Sequence, residues 1–302
     1  MLLEDVQQYQ NLELLAKQVV EGFITGMHRS PFHGFSVEFA EHRPYNPGES
    51  TRNIDWKLYA RTDRIYTKRF EEETNLRCRI VLDLSGSMFF PADNLAKVKF
   101  SILAAASICH LLQKQRDAFG ITTFSDSVKQ QTPTRSSRAH LHEIISNLQP
   151  LWDLKKAPAQ VENTQIANSL EQIALTQHRR SLIVIFSDMF ENDLDDTAIW
   201  QAIQHLKYAK NEIIIFHVQH APQELQFDFD NRPTRFIDTE SGEQVLLNPA
   251  EIKTAYLQQI SALDKKIKDR CLQYNIDFYP IDASKDFGQV LMPFYLKRMK
   301  MA

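Results

Sequence analysis

Glycine is scarce in this chain, only 8 among 302 residues, and the scarcity excludes the loops that usually cradle phosphates. Neither G-x-x-x-x-G-K-[ST] nor G-x-G-x-x-G occurs, so any ATP-derived energy has to come from a partner. Cysteine is scarcer still. Cys78, Cys109 and Cys271 are odd in number and far apart, which frames neither a disulfide scaffold nor a paired-thiolate metal site and points to a reducing, cytoplasmic setting. Long apolar runs are missing too: the longest, Ile102 to Leu112, includes Ser107 and His110 and falls short of the roughly 18 residues of a spanning helix. Met1-Leu2-Leu3 leads directly into Glu4-Asp5, without the basic and apolar segments of a leader, so no membrane insertion is expected. Nor is there an excess of positive charge; the net charge of -3 argues against a general nucleic-acid-binding surface.

What is present is enough apolar material, 43% of residues, to bury a full α/β core. Apolar spacing predicts a helix over Asp5 to Phe23, then short runs broken by Gly34, Pro44, Pro47 and Gly48 between Phe32 and Phe70 that read as strands and turns. From Leu76 onward, apolar strands alternate with helical segments: strands Cys78 to Leu82, Ala118 to Phe124, Leu182 to Phe186, Ile213 to Val218 and Ile276 to Ile281. Such alternation predicts a doubly wound, mainly parallel sheet with helices on both faces. The runs Cys78 to Leu82, apolar apart from Arg79, and Leu182 to Phe186 are expected as neighbouring central strands. Alternation around Ser241-Gly242 reads as a small antiparallel insertion at about residues 224–248. The expected organisation is a helix and β-rich extension over residues 1–75, with Phe35, Phe39, Trp56 and Ile65 buried against a main domain over 76–302.

The chemistry concentrates at Asp83-Leu84-Ser85-Gly86-Ser87, directly after the first of those strands. A carboxylate and two hydroxyls at alternating positions of a strand-to-helix turn can converge on one hard cation, which prefers oxygen ligands. The bland alternative is that Ser85 or Ser87 only caps the following helix. Two further stretches favour the cation. Asn163-Thr164 offers another hydroxyl at the start of an amphipathic helix, and the strand Leu182 to Phe186 ends in Ser187-Asp188. Three separate loops thus supply oxygens, and Asp83 and Asp188 fall at carboxyl ends of strands, where open sheets of this type bind ligands.

Other candidates are weaker. His140 with His142, and His217 with His220, lack the Glu at helical spacing that zinc hydrolases use, and read as surface and strand-end residues. Basic residues from Arg43 to Arg69 are interleaved with aromatics but equally with Glu41, Glu49, Asp55 and Asp63, so internal ion pairing explains the segment at least as well as nucleic-acid binding. A nucleophilic Asp83 would need a second aspartate two residues on, where Ser85 stands.

The three-part pattern resembles the metal-ion-dependent adhesion site of von Willebrand factor A-like domains, D-x-S-x-S followed by a Thr and an Asp. The resemblance carries over to Asp83, Ser85, Ser87, Thr164 and Asp188, with Val161-Glu162-Asn163 standing where glycines are commoner. A second resemblance spans nearly the whole chain. Glu38 to Glu49, Arg52-Asn53-Ile54-Asp55-Trp56-Lys57, Lys68 to Glu73, Arg179-Arg180-Ser181-Leu182 and Asp238 to Glu243 are similar to the signature of the bacterial family known as domain of unknown function fifty-eight. It departs conservatively at Gly48-Glu49, where the family typically has Gly-Asp.

This resemblance implies a von Willebrand factor A-like domain working beside a MoxR-type AAA+ ATPase. The expected function is a non-enzymatic, divalent-metal-dependent interaction module. Ser85, Ser87 and Thr164 would hold Mg2+, or Mn2+ or Ca2+, while Asp83 and Asp188 steady it partly through water. Magnesium retains waters, so one position would stay open for a carboxylate from the ATPase or its client. The alternative is a metal-dependent phosphoesterase using the same cation as a Lewis acid; a third reading is a fold with a vacant site.

Overall fold

The computed structural model describes residues 11–28, 42–44, 56–68, 76–158, 166–189, 197–238, 242–288 and 291. The chain divides into two compact units, residues 1–24 with 76–302, and residues 25–75.

The smaller unit contains a two-stranded antiparallel ribbon, whose members are β1 (His42–Pro44) and β2 (Tyr66–Lys68). Between them runs a short helix, Trp56–Thr62, in a segment whose sequence pattern predicts strands and turns. Trp-Lys-Leu-Tyr-Ala-Arg-Thr contains neither Gly nor Pro, and Thr62 Oγ1 donates to the Leu58 carbonyl one turn back at 2.9 Å. Trp56 and Ile65, expected to bury, are 61% and 39% exposed. Trp56 lies edge-on to Tyr59 at 6.2 Å, a three-residue spacing at which one ring covers the other. Phe35 and Phe39 lie outside the described residues.

Helix α1 (Leu12–His28), which belongs to the larger unit as far as Ile24, buries Leu12, Leu15, Ala16 and Val20, and the Leu12 amide donates to Gln149 at 3.1 Å. The sheet is built from β3 (Arg77–Asp83), β4 (Ala118–Phe124), β5 (Val128–Gln131), β6 (Leu182–Ser187), β7 (Glu212–Gln219) and β10 (Asp277–Asp282), in spatial order β10-β7-β6-β3-β4-β5. Every pairing is parallel except β4 with β5. The doubly wound, mainly parallel sheet and its two central neighbours, β3 and β6, are thus as expected. β8 (Thr234–Ile237) and β9 (Gln244–Leu247) form the small antiparallel ribbon anticipated from the Ser241-Gly242 turn.

Period-two alternation explains why both faces need cover. Val81, Ile183, Ile185, Ile213 and Ile215 join one core with the helices Ile166–Thr176, Thr197–Tyr208 and Pro249–Gln273. The intervening residues Ile80, Leu82, Val184, Phe186, Ile214 and Phe216 are equally buried. On their side Phe186 and Phe216 stack at 4.7 Å. Helix Ala96–Lys114 packs against β3, β4 and β7 and is buried almost all round.

The chain leaves β3 towards β4 on one side and returns to β6 on the other. The carboxyl ends of β3 and β6 therefore flank the point where strand order reverses, the place where open α/β sheets form a ligand crevice.

Within β3, the buried Arg79 is satisfied by two backbone carbonyls and one side chain: Nη1 donates to the Ile121 carbonyl at 3.2 Å and to that of Thr132, while Nε donates to Gln177 Oε1 at 3.0 Å. Gly120 makes room for this, because a Cβ there would lie 2.8 Å from the Pro133 carbonyl oxygen and 2.9 Å from Arg79 Nη1. Gly120→Ala is expected to destabilise the fold by about 1–3 kcal/mol, as overpacking does. Urea unfolding would read this as a lower midpoint at unchanged slope.

Candidate metal centre

The strand ends bring the first and last parts of the sequence pattern together. Asp83, the final residue of β3, is fully buried, and its two oxygens have different partners. Oδ1 accepts the Ser85 amide at 2.9 Å, while Oδ2 accepts the Ser187 hydroxyl at 2.6 Å. Leu82 pairs with Phe186 in the sheet, so the register sets Asp83 opposite Ser187 one step further on. Ser187 Oγ also accepts the Met189 amide at 2.9 Å, fixing the turn that carries Asp188.

Ser85 and Ser87 flank Gly86, where a short 3-10 turn, Gly86–Phe89, begins. The Ser85 side chain makes no capping bond to that turn, which removes the bland explanation for its hydroxyl. Its hydroxyl lies 3.2 Å from that of Ser87. Two ligand oxygens on neighbouring positions around magnesium stand about 3 Å apart, given metal–oxygen bonds of 2.0–2.1 Å.

Burial first, and then the nearby Asp188 charge, push the Asp83 carboxyl up to about 7, against the opposing hydrogen bonds of Ser187 and Ser85. The described residues hold no cluster of three or more His, Cys, Asp or Glu side chains arranged for an ion. A cation here would therefore have to use the hydroxyls. Paired hydroxyl oxygens beside two acidic residues, one of them raised by the other's charge, fit a small hard cation. Ser85, Ser87, Asp83 and Asp188 are thus brought to one strand-end locus; Thr164 lies outside the described residues.

Two residues missed in the sequence stand at the same locus. Lys97, in the first turn of helix Ala96–Lys114, is completely buried, and its Nζ donates to Asp188 Oδ2 at 2.8 Å and to Glu224 Oε1 at 2.6 Å. Burial works to lower its pKa, but Asp188 and Glu224 outweigh burial and hold the ammonium up to about 12. Glu224 lies in a π-helical turn, Ala221–Leu225, and also accepts the His220 amide. Its carboxyl is raised by burial, with Lys97 opposing. The visible signal for Lys97 was a charge set between apolar residues, Leu95, Ala96 and Val98, at the start of a mostly apolar helix; Glu224 carried none.

His217, expected as a surface or strand-end residue, lies near the carboxyl end of β7 but is buried. Its Nε2 donates to the Asp188 carbonyl at 2.8 Å, which fixes the tautomer because a carbonyl only accepts, and burial lowers its pKa. The other ring nitrogen is 3.8 Å from Asp264, which accepts Gln219 Nε2 at 2.9 Å. Backbone and side chain of Asp188 are thus anchored from two elements.

The family model described as "Protein of unknown function DUF58" matches residues 41–265. Uncharacterized proteins of Mycobacterium bovis and Mycobacterium tuberculosis are 29% identical over 177 residues, covering 59% of this chain and 55% of theirs. The chain therefore spans about half the length of the curated relatives it matches. Among solved structures, the conserved hypothetical protein BatB from Bacteroides thetaiotaomicron is 14% identical at a TM-score of 0.43, over 74% of this chain and 99% of that one. The SpRpn10 VWA domain is 13% identical at a TM-score of 0.38, over 72% and 94%.

The Asp83 pKa has a testable sign. Raised on folding, it lets the native state keep a proton that the unfolded chain has lost, so this group reduces stability as pH rises from about 4 to about 7. Asp83→Asn stays neutral, and its amide can still accept from the Ser85 amide and donate to Ser187. In chelator, the stability of D83N relative to the parent should grow across that pH window. Urea titrations would check it, and a constant difference would contradict it.

Proposed function

We propose that this chain, which belongs to the DUF58 family, is a non-enzymatic protein-interaction module whose von Willebrand factor A-like site depends on a divalent cation. The observation that carries this reading is the 3.2 Å hydroxyl pair of Ser85 and Ser87 beside Asp83 and Asp188, at the point where strand order reverses. Ser85 and Ser87 would hold Mg2+ directly, with Thr164 joining them by family resemblance. Asp83 and Asp188 would balance its charge. The chemistry supplied by bound Mg2+ is an electrophilic position for a carboxylate of a protein partner.

A binding role agrees better than catalysis with how the polar groups are held. Both Asp83 oxygens accept hydrogen bonds, which suits orientation more than nucleophilic attack. His217 gives its Nε2 proton to the Asp188 carbonyl and is buried, so it is poorly placed as a general base. The proposed partner is a MoxR-type AAA+ ATPase or its client. Family resemblance supports that choice, together with the lack of a nucleotide-binding loop in this chain. Among the described residues no helix is long and apolar enough to cross a membrane.

Calorimetry should give Mg2+ or Mn2+ binding to the parent and none to Asp83→Ala, in a protein that circular dichroism shows to be folded. Equal affinity in that variant would remove Asp83 from the site, and turnover of any member of a phosphoester panel would contradict the non-enzymatic reading. The complex with the ATPase should require the cation and be lost in Ser85→Ala and Asp188→Ala. A complex insensitive to excess chelator would exclude metal-bridged recognition.

A further inference from the structure

Lys97 is the feature that the proposed function does not use. Its ammonium has no exposure and bridges Asp188 and Glu224 at 2.8 and 2.6 Å. It also lies in the first turn of its helix, where the macrodipole disfavours a positive charge. Ion pairs this deeply buried are commonly no more stabilising than apolar packing of similar volume, so stability alone gives little reason for a lysine here. Asp188, the carboxylate it holds, is the one whose charge bears on Asp83.

We propose that Lys97 is a built-in rival cation, competing with a divalent ion for Asp188 and linking that exchange, through Glu224, to the turn Ala221–Leu225. The inference rests on the metal-site reading and adds a determinant of ion affinity to it. While Lys97 holds Asp188, the site has a positive charge of its own and takes up a second cation weakly. When Asp188 turns to a divalent ion, Lys97 retains Glu224, and the turn carrying Glu224 becomes its main anchor. That turn is tied to the sheet edge as well, since the Ala221 amide donates to Asp282 Oδ1 at 3.1 Å. Uptake of the ion would therefore be felt at the β7–β10 side of the sheet, away from Ser85 and Ser87.

Charge removal on either side of the lysine should act in opposite directions. Lys97→Met takes away the competing charge, and affinity for Mn2+ should tighten by at least roughly tenfold, as expected for a unit charge lost within a few ångströms in a partly buried site. Glu224→Gln leaves Lys97 to Asp188 alone, and affinity should fall several-fold. Mn2+ calorimetry on the full chain reads both, with circular dichroism to report folding. A lysine that only supports the fold would lower the melting temperature in K97M while leaving ion affinity unchanged, and that result overturns the proposal. So does an E224Q affinity equal to the parent's, which decides the matter if K97M fails to fold. Binding in the parent without these shifts refutes the rivalry and leaves the metal site standing. Binding in K97M but not in the parent supports the rivalry, and binding in neither refutes both.

Discussion

A carboxylate with no access to water, Asp83 at the end of a central strand, is the constraint from which the rest of the site follows. Removing a charge from water costs several kcal/mol unless neighbours compensate. The Ser85 amide and the Ser187 hydroxyl provide the nearest compensation. They also do structural work, because they join the turn after β3 to the end of β6 across the crevice. The second bond places Asp188 next to Asp83, which adds a like charge to the one already buried. Lys97 answers that charge from the helix below, and Glu224 answers Lys97. Each charge in this small network is explained by the one before it.

The consequence is a site that is oxygen-rich but restrained in negative charge. Hydroxyls at Ser85 and Ser87 give ligand atoms without formal charge, so a bound cation keeps more of its electrophilic character than it would among carboxylates alone. The donors stand at the ends of β3 and β6, both buried on two faces, which favours precise positioning over adaptability. A pre-organised position of this kind suits recognition of a partner's carboxylate. Lys97 restrains affinity within the same frame.

The fold was legible because its signals are local. Largely apolar strands, helices of period 3.6 and a glycine turn gave element type and order, and β3 and β6 proved to be central neighbours, as burial on both faces requires. Asp83, Ser85 and Ser87 were equally readable, since one turn of chain carries all three. Lys97 and Glu224 were not, because their meaning depends on a tertiary pairing across 127 positions. His217 was misjudged for the same reason: its partner, the Asp188 carbonyl, is brought there by the β6–β7 pairing. In the smaller unit, the helix Trp56–Thr62 was obscured by turn residues on its amino-terminal side.

The most direct measurement is an anomalous difference map from crystals of this protein grown with Mn2+. The account predicts a peak beside Ser85 Oγ and Ser87 Oγ, within reach of Asp83 and Asp188 directly or through water. A protein saturated with Mn2+ in solution whose crystals show no peak there, or show it only at a different locus, would contradict the account.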